Sequence, residues 1–283
     1  MSGFIQEQYF MSDISAINGK LIYKDYKQTM VIAAWGKDAF RVRATMADAF
    51  KEDKEAEQAL LPIETGTAQA SVSGNVGTIV NGRIKAMVEI GLRIDEPTDR
   101  HEGKVTYYDT KDNRKILEEY VYFTKFHSRG RTIVRQTGGL HKISLNFKSD
   151  RTEQLYGLGQ HHNGVLNQKG CMIELRRRNR DITVPFLVSS RGYGFLWNVP
   201  GLGRFTSSAE RTQWEADGAY QIDYWLTVAD TPAMILANYM EATGKPPAFP
   251  KWGTGFWQCK LRYRTQEELL NVAREHHKRG LPM

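Results

Sequence analysis

Apolar and polar positions alternate in short runs over most of this chain, and turn residues separate the runs. Lys20-Leu21-Ile22-Tyr23 follows Asn18-Gly19, a dipeptide suited to a two-residue hairpin turn. Residues 30–35 and 40–44 flank the turn Gly36-Lys37-Asp38, and the second run alternates as a half-buried strand does. Gly74-Asn75, Asn81-Gly82 and Gly138-Gly139 punctuate further runs at 77–80, 84–90 and 142–147. Past residue 150 the pattern continues through Leu155-Tyr156-Gly157-Leu158-Gly159-Gln160, 183–194, 195–198, 212–215 and 221–227. Many short strands with turns between them predict an antiparallel β-sandwich. Alternation sends half the aromatics of the later runs inward, so Trp197, Trp214, Tyr224 and Trp225 read mostly as core. Residues 47–58, rich in alanine and charge, read as a short exposed helix or a loop.

From Asp230 the period changes. Thr231-Pro232 is a helix start, because proline at the first helical position lacks only an N–H that had no partner. Ile235, Leu236, Tyr239 and Met240 fall on one helical face, and Gly244 suits the left-handed position after the helix. Lys245-Pro246-Pro247-Ala248-Phe249-Pro250 cannot be helical. Trp252-Gly253-Thr254-Gly255-Phe256-Trp257-Gln258-Cys259 is short and mostly apolar, as a strand buried on both faces is. A second helix follows, opened by a Thr265/Glu268 capping box and closed by Gly280 and Pro282. Leu269, Val272, Ala273 and His276 line one of its sides. Strand followed by amphipathic helix is the opening of a repeating βα architecture.

Composition narrows the function classes. The 283 residues suffice for one large or two medium domains, and 41% hydrophobic with 25% charged residues is ordinary for a globular protein. The net charge of +7 is spread among acidic residues and comes with no nucleic-acid motif, so nucleic acid is not an expected partner. Cys171 and Cys259 are too few for a disulfide framework or a zinc site. No metal or cofactor is expected. The first residues lack the basic and apolar blocks of a secretory signal, no apolar run approaches the ~20 residues that span a bilayer, and there is no Asn-x-Ser/Thr acceptor. The expectation is a cytoplasmic protein without a membrane partner.

Several stretches carry candidate chemistry. Gly157 and Gly159 begin a Gly-x-Gly pattern, but the next glycine is Gly164, so no dinucleotide fingerprint forms. The glycines read as a strand in close approach to another backbone. His161 and His162 are adjacent and, on a strand, would face opposite ways, so they read as surface loop residues rather than as one metal site. Cys171 reads as a small buried hydrophobe. Arg176-Arg177-Arg178-Asn179-Arg180-Asp181 is the most polar run of the second half, and reads either as a charged edge strand or as a polar binding segment.

The wording of the chain end resembles glycoside hydrolase family 31, most of all its α-xylosidase-type members. The resemblance rests on Gly244-Lys245-Pro246-Pro247, Pro250-Lys251-Trp252, Gly255-Phe256-Trp257-Gln258 and Tyr263-Arg264-Thr265-Gln266-Glu267-Glu268-Leu269. Tyr156-Gly157-Leu158-Gly159-Gln160, Pro185-Phe186 and Ser189-Ser190-Arg191-Gly192-Tyr193-Gly194 extend it. For the first of these runs the resemblance implies, in preference to a mere close approach of backbones, a lead into a long loop that reaches over the barrel mouth. It is close from about residue 155 to 283 and only general in style before that. The resemblance implies a mainly β protein: a mutarotase-like antiparallel sandwich over 1–229, a linking helix and proline-rich connector over 230–250, and from 251 to 283 the first βα unit of a truncated (β/α)8 barrel. A whole barrel takes roughly 250 residues.

The resemblance further implies a retaining glycosidase acting on α-xylosidic or α-glucosidic bonds, with two aspartates about 5–5.5 Å apart on later barrel strands. No acidic residue here matches either role, so no catalytic residue is assigned and the chain alone is expected to be inert. An oligosaccharide or α-glycoside is the implied partner, with a homo-oligomer possible for the full-length parent. Around the sugar, the run before the Pro-Phe strand implies Arg178, Asn179 and Asp181 as binding candidates, since Arg and Asn can pair with two adjacent hydroxyls. Barrel substrates sit at the C-terminal ends of the strands, which points to Trp257, Gln258 and Cys259. The rival reading is a free-standing carbohydrate-binding sandwich without hydrolysis. A mutarotase-type epimerase ranks last, because His141, His161 and His162 show no acidic partner by spacing.

Overall fold

The computed structural model describes the chain except for residues 1–11, 26–27, 53, 55–58, 64–67, 94–99, 122–129 and 282–283. It comprises two compact units, residues 1–244 and 245–283. Every strand of the first unit is antiparallel to its neighbours and lies in one of three sheets. The largest has eight strands: β1 (Asp13–Ile17), β2 (Lys20–Lys24), β3 (Thr29–Ala34), β4 (Ala39–Thr45), β18 (Ile222–Val228), β15 (Tyr193–Trp197), β14 (Ile182–Ser189) and β12 (Leu155–Gln160), in that spatial order. A five-stranded sheet runs β5 (Gln69–Ser73), β6 (Val76–Asn81), β7 (Ile84–Arg93), β8 (Arg100–Asp109) and β9 (Arg114–Glu118). The other five-stranded sheet runs β10 (Arg131–Arg135), β11 (His141–Lys148), β17 (Arg211–Ala219), β16 (Gly203–Ser207) and β13 (Met172–Leu175).

The turn chemistry explains the hairpins. Asn18 and Gly19 both adopt left-handed backbone angles, which a two-residue turn between right-twisted strands requires, and they pair Ile17 with Lys20. The runs expected as strands at 20–23, 30–35, 40–44, 77–80, 84–90, 142–147 and 221–227 all form. Residues 47–58 are irregular wherever they are described.

Aromatic rings fill the space between sheets. Phe195, Trp197 and Tyr224 of the eight-stranded sheet meet Phe147, Phe205 and Trp214 of the sheet containing β11, with Phe195 stacked on Trp214 at 4.9 Å and on Tyr224 at 5.1 Å. All six are fully buried, among them Trp197, Trp214 and Tyr224, which the sequence assigns to the core. The third sheet joins the same core, where the Tyr107 hydroxyl shares a 2.6 Å hydrogen bond with that of Tyr224. An isolated bridge between Glu119, just past β9, and Phe147 of β11 links the two smaller sheets.

Helix α1 (Pro232–Thr243) covers the outer face of the large sheet. The Thr231 side chain accepts from Met234 N–H and caps its start, and Gly244 N–H donates to Met240 C=O at its end. The buried stripe is Ile235 and Ala242, with Tyr239 stacked on Phe186 at 4.0 Å. Leu236 and Met240, expected on the same face, are exposed. The stripe follows i, i+4, i+7 and is narrower than the apolar pattern suggested.

The second unit corrects one expectation. The stretch 252–259 forms no strand: residues Lys251–Thr254 make a 3₁₀ turn, and 255–265 are irregular. A strand is defined by ladder partners, and none of the described residues pairs with this stretch. Helix α2 (Gln266–Lys278) forms as expected, with Thr265 Oγ1 accepting from Glu268 N–H at 3.1 Å. The Glu268 carboxylate reaches back to Arg264 N–H, one residue short of the reciprocal capping-box contact.

Two buried charge pairs generate tests. Glu119 is wholly buried and bonds Arg131 Nη1, so Arg131→Met strands a carboxylate without its partner and should cost about 3–5 kcal/mol, whereas Arg131→Met with Glu119→Leu should recover much of that. Urea unfolding of the three forms checks this, and a loss below 1 kcal/mol in the single variant would contradict it. Asp109 takes Arg83 Nε at 2.8 Å and Nη2 at 2.7 Å, which holds its carboxyl below the usual range. A lowered folded pKa gives stability that is present above the ordinary carboxylate value and lost as pH falls through the folded one. The urea midpoint should therefore fall on acidification below about pH 4, and less steeply in Asp109→Asn.

Candidate functional site

A cleft of about 270 Å³ opens at the end of the sandwich where β12 gives way to its following loop. Its construction begins with glycine. Gly157, Leu158 and Gly159 all take left-handed φ values, and the pairing of β12 with β14 shifts register between Gly157 and Gly159. A Cβ on Gly159 would lie 2.0 Å from Ile182 O, so only glycine lets the two backbones pass. This is the close approach that the sequence suggested. Its consequence is that the chain leaves β12 sharply and turns His161, His162 and Asn163 toward the cleft.

The opposite lip is a tight turn. Arg178 and Asp181 form an isolated bridge, with Asp181 N–H donating to Arg178 C=O at 3.2 Å and Arg180 in the left-handed region. Thr183 Oγ1 donates to Arg176 C=O at 2.9 Å and fixes the base of the turn. The floor is β13, which contributes Met172, Ile173 and Glu174.

The charges are paired across these elements. His162 Nδ1 lies 2.8 Å from Asp181 Oδ1, and that hydrogen bond holds the Asp181 carboxyl below its ordinary range. Arg178 bonds Glu174. His161 Nε2 donates to Leu158 C=O at 2.8 Å. The two histidines are loop residues as expected, but the expectation that no histidine there had an acidic partner is corrected: the turn brings Asp181 back over nineteen residues to His162. Among the described residues no group of three or more His, Cys, Asp or Glu could hold a metal ion.

Of the binding candidates, Arg178 and Asp181 line the cleft, whereas Asn179 sits exposed on the turn tip outside the lining. Trp257, Gln258 and Cys259 belong to the second unit, where all three are exposed. Trp257 Nε1 donates to Gly253 C=O at 3.1 Å, and Gln258 Nε2 donates to Tyr263 Oη at 3.1 Å. Cys171 is half-buried and packs on the core.

The sequence reading missed Glu174 and Arg176 in the lining. Both were legible in principle. Residues 172–175 alternate exposed and buried, the signature of a half-buried strand, and Arg176 follows directly. It also missed what holds the loop. Gln168, nearly buried, accepts from Asn163 Nδ2 at 2.9 Å and donates to Val165 C=O at 2.8 Å, while its own N–H reaches Leu155 C=O at 2.7 Å.

The comparisons with known proteins bear on the whole chain. Residues 246–283 match the Glycosyl hydrolases family 31 TIM-barrel domain. An uncharacterized family 31 glucosidase of Pseudescherichia vulneris is 34% identical over 291 residues, covering 96% of this chain and 52% of its own length. The crystal structure of a family 31 α-xylosidase from a soil metagenome, complexed with xylose, superposes with a TM-score of 0.86 at 37% identity over 96% of this chain. The chain belongs to glycoside hydrolase family 31. It spans about half the length of that glucosidase and 40% of the metagenomic chain, as their N-terminal portion. An α-xylosidase of Saccharolobus solfataricus is 34% identical over 152 residues, half of this chain and 21% of its own length. A Flavobacterium johnsoniae dextranase complexed with isomaltotriose shares the fold, with a TM-score of 0.75 at 21% identity.

Proposed function

We propose that this chain is the N-terminal part of a retaining α-glycosidase acting on α-xylosidic or α-glucosidic bonds, and that its sandwich contributes the cleft at 161–181 to sugar binding. The observation that carries the reading is the similarity, over 96% of the chain, to an α-xylosidase whose structure holds xylose. The cleft adds chemical support. Arg178 and Asp181 offer charged donors and acceptors to hydroxyls, and the glycine-built exit from β12 fixes their spacing to His162.

No acidic residue of this chain is assigned a catalytic role, because none can be matched to either of the two carboxylates of a retaining family 31 site. Asp181 is instead engaged by His162. The same pairing argues against anomer interconversion, which needs a histidine and a carboxylate on either side of a sugar rather than bonded to each other. The free-standing sugar-binding sandwich makes a different forecast from the enzyme part: affinity without hydrolysis in any context.

Purified 1–283 should bind methyl α-xyloside or methyl α-glucoside and leave p-nitrophenyl α-xyloside intact. Turnover of that substrate would overturn the inert half of the reading, and absence of sugar binding would overturn the cleft half. Joined to a complete family 31 barrel, Gln258→Leu should lower kcat/KM by about 1–3 kcal/mol while unfolding little changed, if the end of the first barrel stretch lines the sugar subsite. Unaltered kinetics in Trp257→Ala, Gln258→Ala and Cys259→Ala would make this stretch structural only.

A further inference from the structure

Two arginines and two carboxylates line the cleft, and Arg176 is the arginine that no carboxylate there engages. The two carboxylates are both engaged, Asp181 by His162 and Glu174 by Arg178. Among the described residues no carboxylate pairs with the Arg176 guanidinium. Arg177 and Arg180, on the same exposed turn, likewise have no acidic partner among the described residues. Four arginines therefore stand within five positions on one lip, and only Arg178 is neutralised.

A surface that merely needed charge for solubility would mix signs, because clustered like charges repel. This lip sets four arginines against the single carboxylate of Asp181, beside a concavity already furnished with hydroxyl-binding groups. A guanidinium presents a planar fork of donors that matches two oxygens of a carboxylate, sulfate or phosphate, and such bonds are stronger than those to neutral hydroxyls. The unpaired arginines beside Arg176 raise the local positive potential and favour an arriving anion.

We propose that Arg176 is a specificity-determining residue for a negatively charged glycoside, whose oxyanion it takes at the mouth of the 161–181 cleft. The inference rests on the reading of that cleft as a sugar site and adds the class of sugar. The anion is a carboxylate, as in a uronic acid, or an acid ester on a sugar hydroxyl; both offer the same pair of oxygens.

The test is a calorimetric titration of purified 1–283 at low salt with methyl α-glucoside, methyl α-glucuronoside and methyl α-glucoside 6-phosphate, with inorganic phosphate as control. At least one anionic sugar should bind about fivefold or more tightly than the neutral one, and which of the two does so names the oxyanion. The preference should shrink as salt rises, vanish in Arg176→Leu and survive in part in Arg176→Lys. Equal affinity for charged and neutral sugars would overturn the proposal while leaving the cleft reading intact. A preference that persists in Arg176→Leu, or inorganic phosphate binding as tightly as the sugar phosphate, would also overturn it. Failure of all three sugars to bind would remove the cleft reading and this inference together.

Discussion

Glu119 and Arg131 form the joint on which the three sheets depend. Arg131, on β10, bonds one carboxylate oxygen of Glu119 just past β9, and the other oxygen accepts Val105 N–H of β8 at 2.9 Å. Arg131 Nη2 donates to Gly103 C=O at 2.9 Å, and Gly103 N–H in turn donates to the Tyr23 hydroxyl of β2 at 2.8 Å. One ion pair therefore reaches every sheet. Removing both charges from water is costly, and the return comes from satisfying nearly every lone pair and proton at once. Its geometry also ties these edges together, because Glu119 and Gly103 converge on one guanidinium while Val105 N–H holds the other carboxylate oxygen. Burial pushes the Glu119 carboxyl up against the opposing pull of Arg131. The interaction is one of specificity as much as of strength.

The cleft is downstream of that arrangement. Its parts come from two sheets: β12 and β14 belong to the eight-stranded sheet, β13 to the sheet built on β11. They can face each other only because the aromatic layer of Phe195, Trp214 and Phe205 fixes the spacing between those sheets. Loop 161–171 is then held from within by Gln168 and from below by Lys169, whose ammonium lies 2.5 Å from Ser149 Oγ and 3.8 Å from Glu153. Glu153 is itself fixed by Ser189 and Tyr193 at 2.5 and 2.6 Å. A cleft built this way would lose little ordering entropy on binding a ligand, since its lips are fixed before the ligand arrives.

Local chemistry was legible in the sequence and long-range pairing was not. The hairpin at Asn18-Gly19, the cap at Thr231 and the capping residue Thr265 act on neighbours within four positions, so composition alone reveals them. The strands β8 and β10 escaped notice because charged residues interrupt β8 and bound β10: Arg131 is polar in sequence and buried in fact, since its partner Glu119 lies just past β9. The same holds for the cleft. Arg178 and Asp181 stood out as a polar run, but the His162–Asp181 contact depends on a turn whose left-handed residue is Arg180, a residue type that gives no turn signal.

The second unit shows the opposite limit, where a strand-like sequence pattern forms no strand. Residues 252–259 have the composition of a buried parallel strand, yet such a strand gains its stability from two neighbouring ladders and from layers on both faces. With neither present among the described residues, the backbone relaxes into a 3₁₀ turn and irregular structure, and Trp252, Phe256 and Trp257 remain exposed. Helix α2 survives the same deprivation because its hydrogen bonds are internal and its first turn is capped by Thr265. The contrast separates two kinds of information in one stretch of chain: a helix start is a local property, whereas a barrel strand is a property of the assembly it joins.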